Sequence, residues 1–355
     1  MKKIILLITS FISLTACGSD EIANGMQYEF PECGISQLNG KNIKKICATR
    51  DSIAKSVSKD YTPKFLQILV GAGHTSSYSG DREGLILDLE NQELDLQGHI
   101  WDFSKQRNPE LVIRGHDSSV KNGVFFKSYL TLGSNEYLPP QFLKNKTIEE
   151  NTSYAKFSSS GSSIQNFNAI NIKGNHKGIS LNSWGAKIID CFFIINENMN
   201  IQGSKSTIIK NHFFSDSIVS SEKKIFILKI NNQSKLLDQS EQIFPDRSYD
   251  KTAIQNALYI KFSPDTVIDG NTFTLTHKND QAYAIVLDHS PRVRISNNTF
   301  NGFKVPILMD QWSSIVDENG KEIKPENFNA YGNTINLNKY AGNVTMNRKG
   351  EIVKE

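Results

Sequence analysis

Apolar residues in this chain come in short alternating runs, and the runs recur. Ile179-x-Leu181 and Ile285-x-Leu287 are two of them, and Ile188/Ile189 followed by Phe193 is another. Alternation with period two marks strands with one buried face, and runs this short mark short strands. Set Leu181, Ile201, Ile260, Leu287 and Leu308 as equivalent positions. Eight residues on, the first four give Ile189, Ile209, Ile268 and Ile295; thirteen on, they give Ile194, Phe214, Phe273 and Phe300. The fifth unit departs, with Val316 at plus eight and a polar residue at plus thirteen. The stretches TVIDGNTFT and VRISNNTFN are near copies, and STIIKNHFF is a looser one.

Successive units lie 20, 27 and 21 residues apart, with one gap of 59 between 201 and 260. A strand–helix–strand crossover needs about 30 residues or more, whereas three short strands and three turns fit the observed period. The long gap reads as one coil with a loop inserted. Asn211, Gly270-Asn271, Asn297-Asn298 and Gly332-Asn333 punctuate the strands where backbone must turn. A sandwich of hairpins has no reason to repeat one spacing, because each strand meets different neighbours. A solenoid does, since each position stacks on itself.

The I-x-N-N-x-F motif resembles that of the right-handed parallel β-helix family, the pectate-lyase-like fold of pectate lyases, polygalacturonases and phage tailspikes. The likeness covers residues 85–345, about three quarters of the chain. It implies an all-β right-handed parallel β-helix and a polysaccharide as partner. The catalytic motifs of the hydrolases are absent: Asn271-Thr272 and Asn298-Thr299 are followed by Phe, no Asp-Asp occurs, and Gly115-His116 is followed by Asp117. Asp265 and Asp288 do not make the calcium set of the pectate lyases, so no metal or cofactor is expected.

The ends read differently. Lys2-Lys3 and the apolar run Ile4–Leu14 form a signal too short to span a bilayer as a mature helix. Leu14-Thr15-Ala16-Cys17 resembles a bacterial lipobox, which implies cleavage after residue 16, lipid on Cys17 and residence at the outer membrane. Residues 17–40 are then a lipidated tether. In 41–84, Ile43, Ile46, Cys47, Ile53 and Val57 recur at roughly helical spacing, so a short helical cap is expected over the open end of the solenoid. In an oxidising compartment Cys33 and Cys47 could close a disulfide, while Cys191, between Asp190 and Phe192, reads as a buried small apolar residue. Residues 128–156 and 215–255 interrupt the period as loop insertions, Ile315–Ile323 reads as a hairpin about Asn319-Gly320, and 346–355 is a tail.

Charge removes one function class. The net +3 falls to about +1 once Lys2 and Lys3 leave with the signal, too little for a nucleic-acid field. An N-terminal acyl anchor already supplies attachment, so a monomer is expected rather than a tailspike trimer. Candidate chemistry lies beside the repeat position, where outward residues read Asn182, Gln202, Lys261 and Asp288. His289, Arg292, Arg294 and Asp265 fall nearby, the only concentration of both charge signs on the repeat. These residues are the candidates for a polysaccharide lyase or hydrolase acting on an acidic glycan; in a lyase Arg292 would meet a uronate carboxylate, Lys261 or His289 would abstract a proton, and Asp288 would orient the base. Strand parity turns His289 inward unless the strand ends at Asp288. Asn182, Gln202, Tyr259 and Trp184 are candidate sugar contacts, with Trp312 a further stacking platform. The alternative is a non-catalytic glycan-binding or envelope-assembly lipoprotein, the charged pair being an ordinary surface ladder.

Overall fold

The computed structural model describes residues 30–53, 84–105, 110–133, 167–196, 199–215, 256–280, 282–310, 312–323, 325–347 and 349–354. These are all-β, built on one long, mostly parallel sheet; a single 3₁₀ turn, Pro325–Tyr331, is the helical exception among them. Three parallel ladders carry the repeat. The first runs through Met199–Gln202, Asn256–Lys261, Tyr283–Asp288 and Ile307–Met309. Lys187–Ile189, Thr207–Ile209, Val267–Asp269 and Arg294–Ser296 form the second. The third takes Phe192–Ile195, His212–Ser215, Thr272–Leu275, Thr299–Asn301 and Thr334–Asn336. Asn168–Asn182 is long enough to pair with the opening strand of each ladder in turn, and Ser119–Gly133 lies parallel beside it.

Stacking in register makes three apolar columns. One runs Leu87, Ile113, Leu132, Leu181, Ile201, Ile260, Leu287, Met309, all buried. Another runs Ile46, Leu94, Val120, Ala169, Ile188, Ile208, Ile268, Ile295. The third is aromatic, with Trp101, Phe125, Phe193, Phe213, Phe273 and Phe300 on successive rungs and Gly174 between Phe125 and Phe193. An asparagine ladder locks the turn before the third strand. Asn211, Asn271, Asn298 and Asn333 each donate Nδ2 to a carbonyl of the second ladder (Ile188, Ile208, Ile268, Ile295). Each Oδ1 accepts the main-chain N–H one rung earlier, from Cys191, Asn211, Asn271 and Asn298. Buried amides left unmet are costly, which is why the turn selects asparagine. Cys191 occupies the first rung of this series, and burial pushes its thiol up to about 12, so it is inert.

The register corrects three expectations. Leu181, Ile201, Ile260 and Leu287 share a column, but the fifth member is Met309; Leu308 faces outward with Tyr259 and Val286. In the first two units the columns take Ile188 and Ile208, then Phe193 and Phe213. Ile189 and Ile209 are half-buried on the outer face, and Ile194 and Phe214 also point away from the column. The cause is one extra residue in the turns of the later units, Phe262 and His289, each in the left-handed region at φ 45° and 49°.

The helical cap is also corrected. Residues 41–47 form a strand, antiparallel to Glu32–Leu38 on one side and parallel to Gln92–Asp95 on the other. Main-chain pairing on both edges outweighs a loose helical spacing. The Cys33–Cys47 disulfide, Cα atoms 5.9 Å apart, closes this hairpin; residues 54–59 lie outside the described residues. Residues 128–133 belong to a strand rather than a loop. Residues 134–156 and 216–255 of the expected insertions, and Cys17, lie outside the described residues. At the C-terminus Val344–Met346 and Ile352–Lys354 form a hairpin, and Val344 and Met346 pack on Val124, Phe126 and Ile194.

At the Gly174 rung of the aromatic column, the imidazole of His176 fills the space a side chain would take. A Cβ on Gly174 would meet His176 Nε2 at 2.2 Å, and the ring lies edge-on to Phe193 at 5.8 Å. Burial pushes His176 down to about 4. Above pH 6.5 the ring is neutral in both folded and unfolded chains. As pH falls from there to 4, the unfolded chain takes up a proton that the folded one refuses. About 3 kcal/mol of stability should be lost over that window. Urea unfolding at pH 7.5 and 4.5 reads this loss; in His176→Phe the corresponding share of the pH dependence should vanish.

Candidate functional site

The outer face of the first ladder carries two rows. Asn182, Gln202, Lys261 and Asp288 are paired rung to rung, and Asp310 follows Met309 into the same row. Ser180, Asn200, Tyr259, Val286 and Leu308 form the neighbouring row. The strip changes character along its length. Ser180, Asn182, Asn200 and Gln202 are half-buried, as are Lys261 and Trp184, whereas Tyr259, Val286, Leu308, Asp288 and Asp310 are buried.

The buried end is a dense polar cluster. Asp288 Oδ2 accepts from the Tyr259 hydroxyl at 2.6 Å and lies 3.7 Å from Lys261 Nζ. His289 Nδ1 is 2.5 Å from Asp288 Oδ1 and 3.1 Å from Asp310 Oδ2, so a proton on Nδ1 bridges two carboxylates. Asp310 also accepts from the His289 amide at 3.0 Å, the Ser313 hydroxyl at 2.6 Å and the Trp312 amide at 3.3 Å. Trp312 stacks on the imidazole, centroids 4.4 Å apart and planes within 14°. Phe262 flanks the same ring at 5.2 Å, and Lys261 Nζ sits 5.1 Å over Phe262.

These contacts split the carboxylates. Burial alone would raise Asp288, but Lys261, the His289 bond and the Tyr259 hydroxyl outweigh it and hold the carboxyl below its ordinary range. Asp310 is raised to about 6, by burial and then by the charge of Asp288, against the pull of His289 and Ser313.

Lys261, Asp288 and His289 are brought together, and Arg292 is not. Its guanidinium forks onto Asp265, with Nε 2.7 Å from Oδ1 and Nη2 3.2 Å from Oδ2. His289 reaches Asp288 because the strand ends there and the left-handed residue turns the ring back to the outer face. A serine ladder fixes this turn: Gly203, Ser263 and Ser290 donate their amides to the hydroxyls of Ser263, Ser290 and Ser313. Asp310 and Ser313 are the members a register on Leu308 misses. The signal was present, because Leu287-Asp288-x-Ser290 and Met309-Asp310-x-x-Ser313 begin alike once Met309 takes the column.

Asp288, His289 and Asp310 offer ligand atoms within 4.8 Å of one another, and both carboxylates already contact the imidazole Nδ1 or the amide of His289. In chemical terms the cluster orients an imidazole, yet Asp288 is only 2% exposed and His289 5%. Lys261 and Trp312 are its half-buried members. No protein-family model, curated protein or solved structure matches this chain.

Proposed function

We propose that the chain is a right-handed parallel β-helix lipoprotein, anchored through Cys17 to the bacterial outer membrane, that binds a glycan along its outer strip without cleaving it. The supporting observation is how the strip divides. Ser180, Asn182, Asn200, Gln202 and Lys261 offer half-exposed amides, a hydroxyl and an ammonium beside Trp184, while Asp288, His289 and Asp310 are sealed and Arg292 is held by Asp265. Amides and a hydroxyl on two adjacent rows suit the alternating donors and acceptors of a sugar chain, with the indole as platform.

The test incubates the full-length protein, in detergent, with acidic and neutral polysaccharides, measuring affinity together with unsaturated and reducing ends. Binding without product is expected. Asn182→Ala and Gln202→Ala should each weaken it about fivefold, one hydrogen bond's worth. A product that disappears in Lys261→Met would instead make the protein a lyase or hydrolase, and absence of both product and affinity would leave an envelope-assembly role.

A further inference from the structure

On the second ladder, away from that strip, a cleft of about 440 Å³ opens between the strands, the 315–323 hairpin and the turn at Tyr331. Its size falls within the range of small-molecule sites, roughly 300–1,000 Å³. Asp269 and Ser296 are paired on neighbouring strands of the floor, and Arg294 stands two residues from Ser296 on the same face. One oxygen of Asp269 is held by the Ser296 hydroxyl at 2.5 Å and by Asn297 Nδ2 at 2.8 Å. One oxygen of Asp317 accepts the amides of Asn319 and Lys321, at 2.9 and 2.8 Å. Each carboxylate is thereby fixed through Oδ1 while Oδ2 takes no hydrogen bond among the described residues. Arg294 likewise makes no ion pair there, although carboxylates line the same cleft.

This combination is selective. Two pre-oriented carboxylate oxygens accept from hydroxyls, and a planar guanidinium donates to oxygen lone pairs. A hydroxyl both gives and takes hydrogen bonds, so a ligand bearing several answers both demands. Three carboxylates (Asp269, Asp317 and Glu318) face one arginine, so the cleft repels anions and tolerates or favours an amine. Tyr331, half-buried against the core, also lines the cleft. We infer that this cleft binds a single neutral or amine-bearing sugar residue, such as a glycan end, as a site separate from the outer strip and independent of its function.

Saturation-transfer NMR on the full-length protein in detergent tests this with methyl glucoside, glucosamine and glucuronate as probes. Methyl glucoside and glucosamine should give signal, with glucuronate at least tenfold weaker. Arg294→Gln should reduce the signal at least tenfold with an unchanged melting temperature, and by the same factor in a Gln202→Ala background. Glu318→Lys, on the exposed hairpin, should raise the glucuronate signal. No signal from any probe, a signal indifferent to Arg294→Gln, an Arg294→Gln effect that changes in the Gln202→Ala background, or glucuronate as the best wild-type ligand would each overturn the assignment.

Discussion

Asp288→Ala is expected to destabilise the fold by about 3–5 kcal/mol at pH 7.5, the scale found when one member of a buried charged set is removed. The substitution strips a partner from the Tyr259 hydroxyl and from His289, and leaves Lys261 without its counter-charge. Asp310 would remain beside the imidazole but already accepts three hydrogen bonds from other groups. Asp288→Asn keeps an acceptor for Tyr259 and should lose about half as much. The double variant Lys261→Met/Asp288→Ala should recover part of the loss, because it removes the orphaned ammonium. Equilibrium urea unfolding reads all three. The direction separates the two readings of the cluster: catalytic groups are often held at a cost, and their removal leaves stability unchanged or improved. A loss under about 1 kcal/mol would make the cluster functional apparatus rather than a packed end of the strip.

Much of this architecture is visible in the residue pattern, and the reasons for the remainder are physical. Ile, Leu and Phe at fixed intervals reveal a stack because each rung meets a copy of itself, so the Lys261–Asp288 neighbourhood follows from strand pairing alone. Turn length is weakly encoded. The single left-handed residue at Phe262 and again at His289 shifts everything after it by one place, and adjacent apolar pairs such as Ile188-Ile189 and Phe213-Phe214 hide the shift. Arg292 is close to the cluster in sequence but finds Asp265 on the preceding turn of the chain, a partner that only the stacking of the turns brings within reach. Sealing of Asp288 is a tertiary property with no local signature. The strand at residues 41–47 is another such case, since its helical spacing is genuine but its two hydrogen-bonded neighbours are remote in sequence or reversed in direction.

Phe273→Ala should cost about 3–5 kcal/mol, the range for emptying a buried aromatic site. Phe273 is fully buried between Phe213 and Phe300, with ring centroids 4.9 and 5.3 Å away and planes within 9° of each. Each stacked pair adds about 0.5–1.5 kcal/mol beyond burial. The void cannot collapse readily, because the rungs above and below are pinned by the Asn211–Asn271–Asn298 ladder and by parallel pairing. Phe213 and Phe214 differ in the same respect. Phe213 stacks in the column against Phe193 and Phe273, whereas Phe214 lies outside it against Phe192. Phe213→Ala should therefore match Phe273→Ala, and Phe214→Ala should cost about 1 kcal/mol, as for a half-buried site. Equal losses at 213 and 214, or the larger loss at 214, would mean that the rungs are stacked in a different register from the one that brings His289 to Asp288.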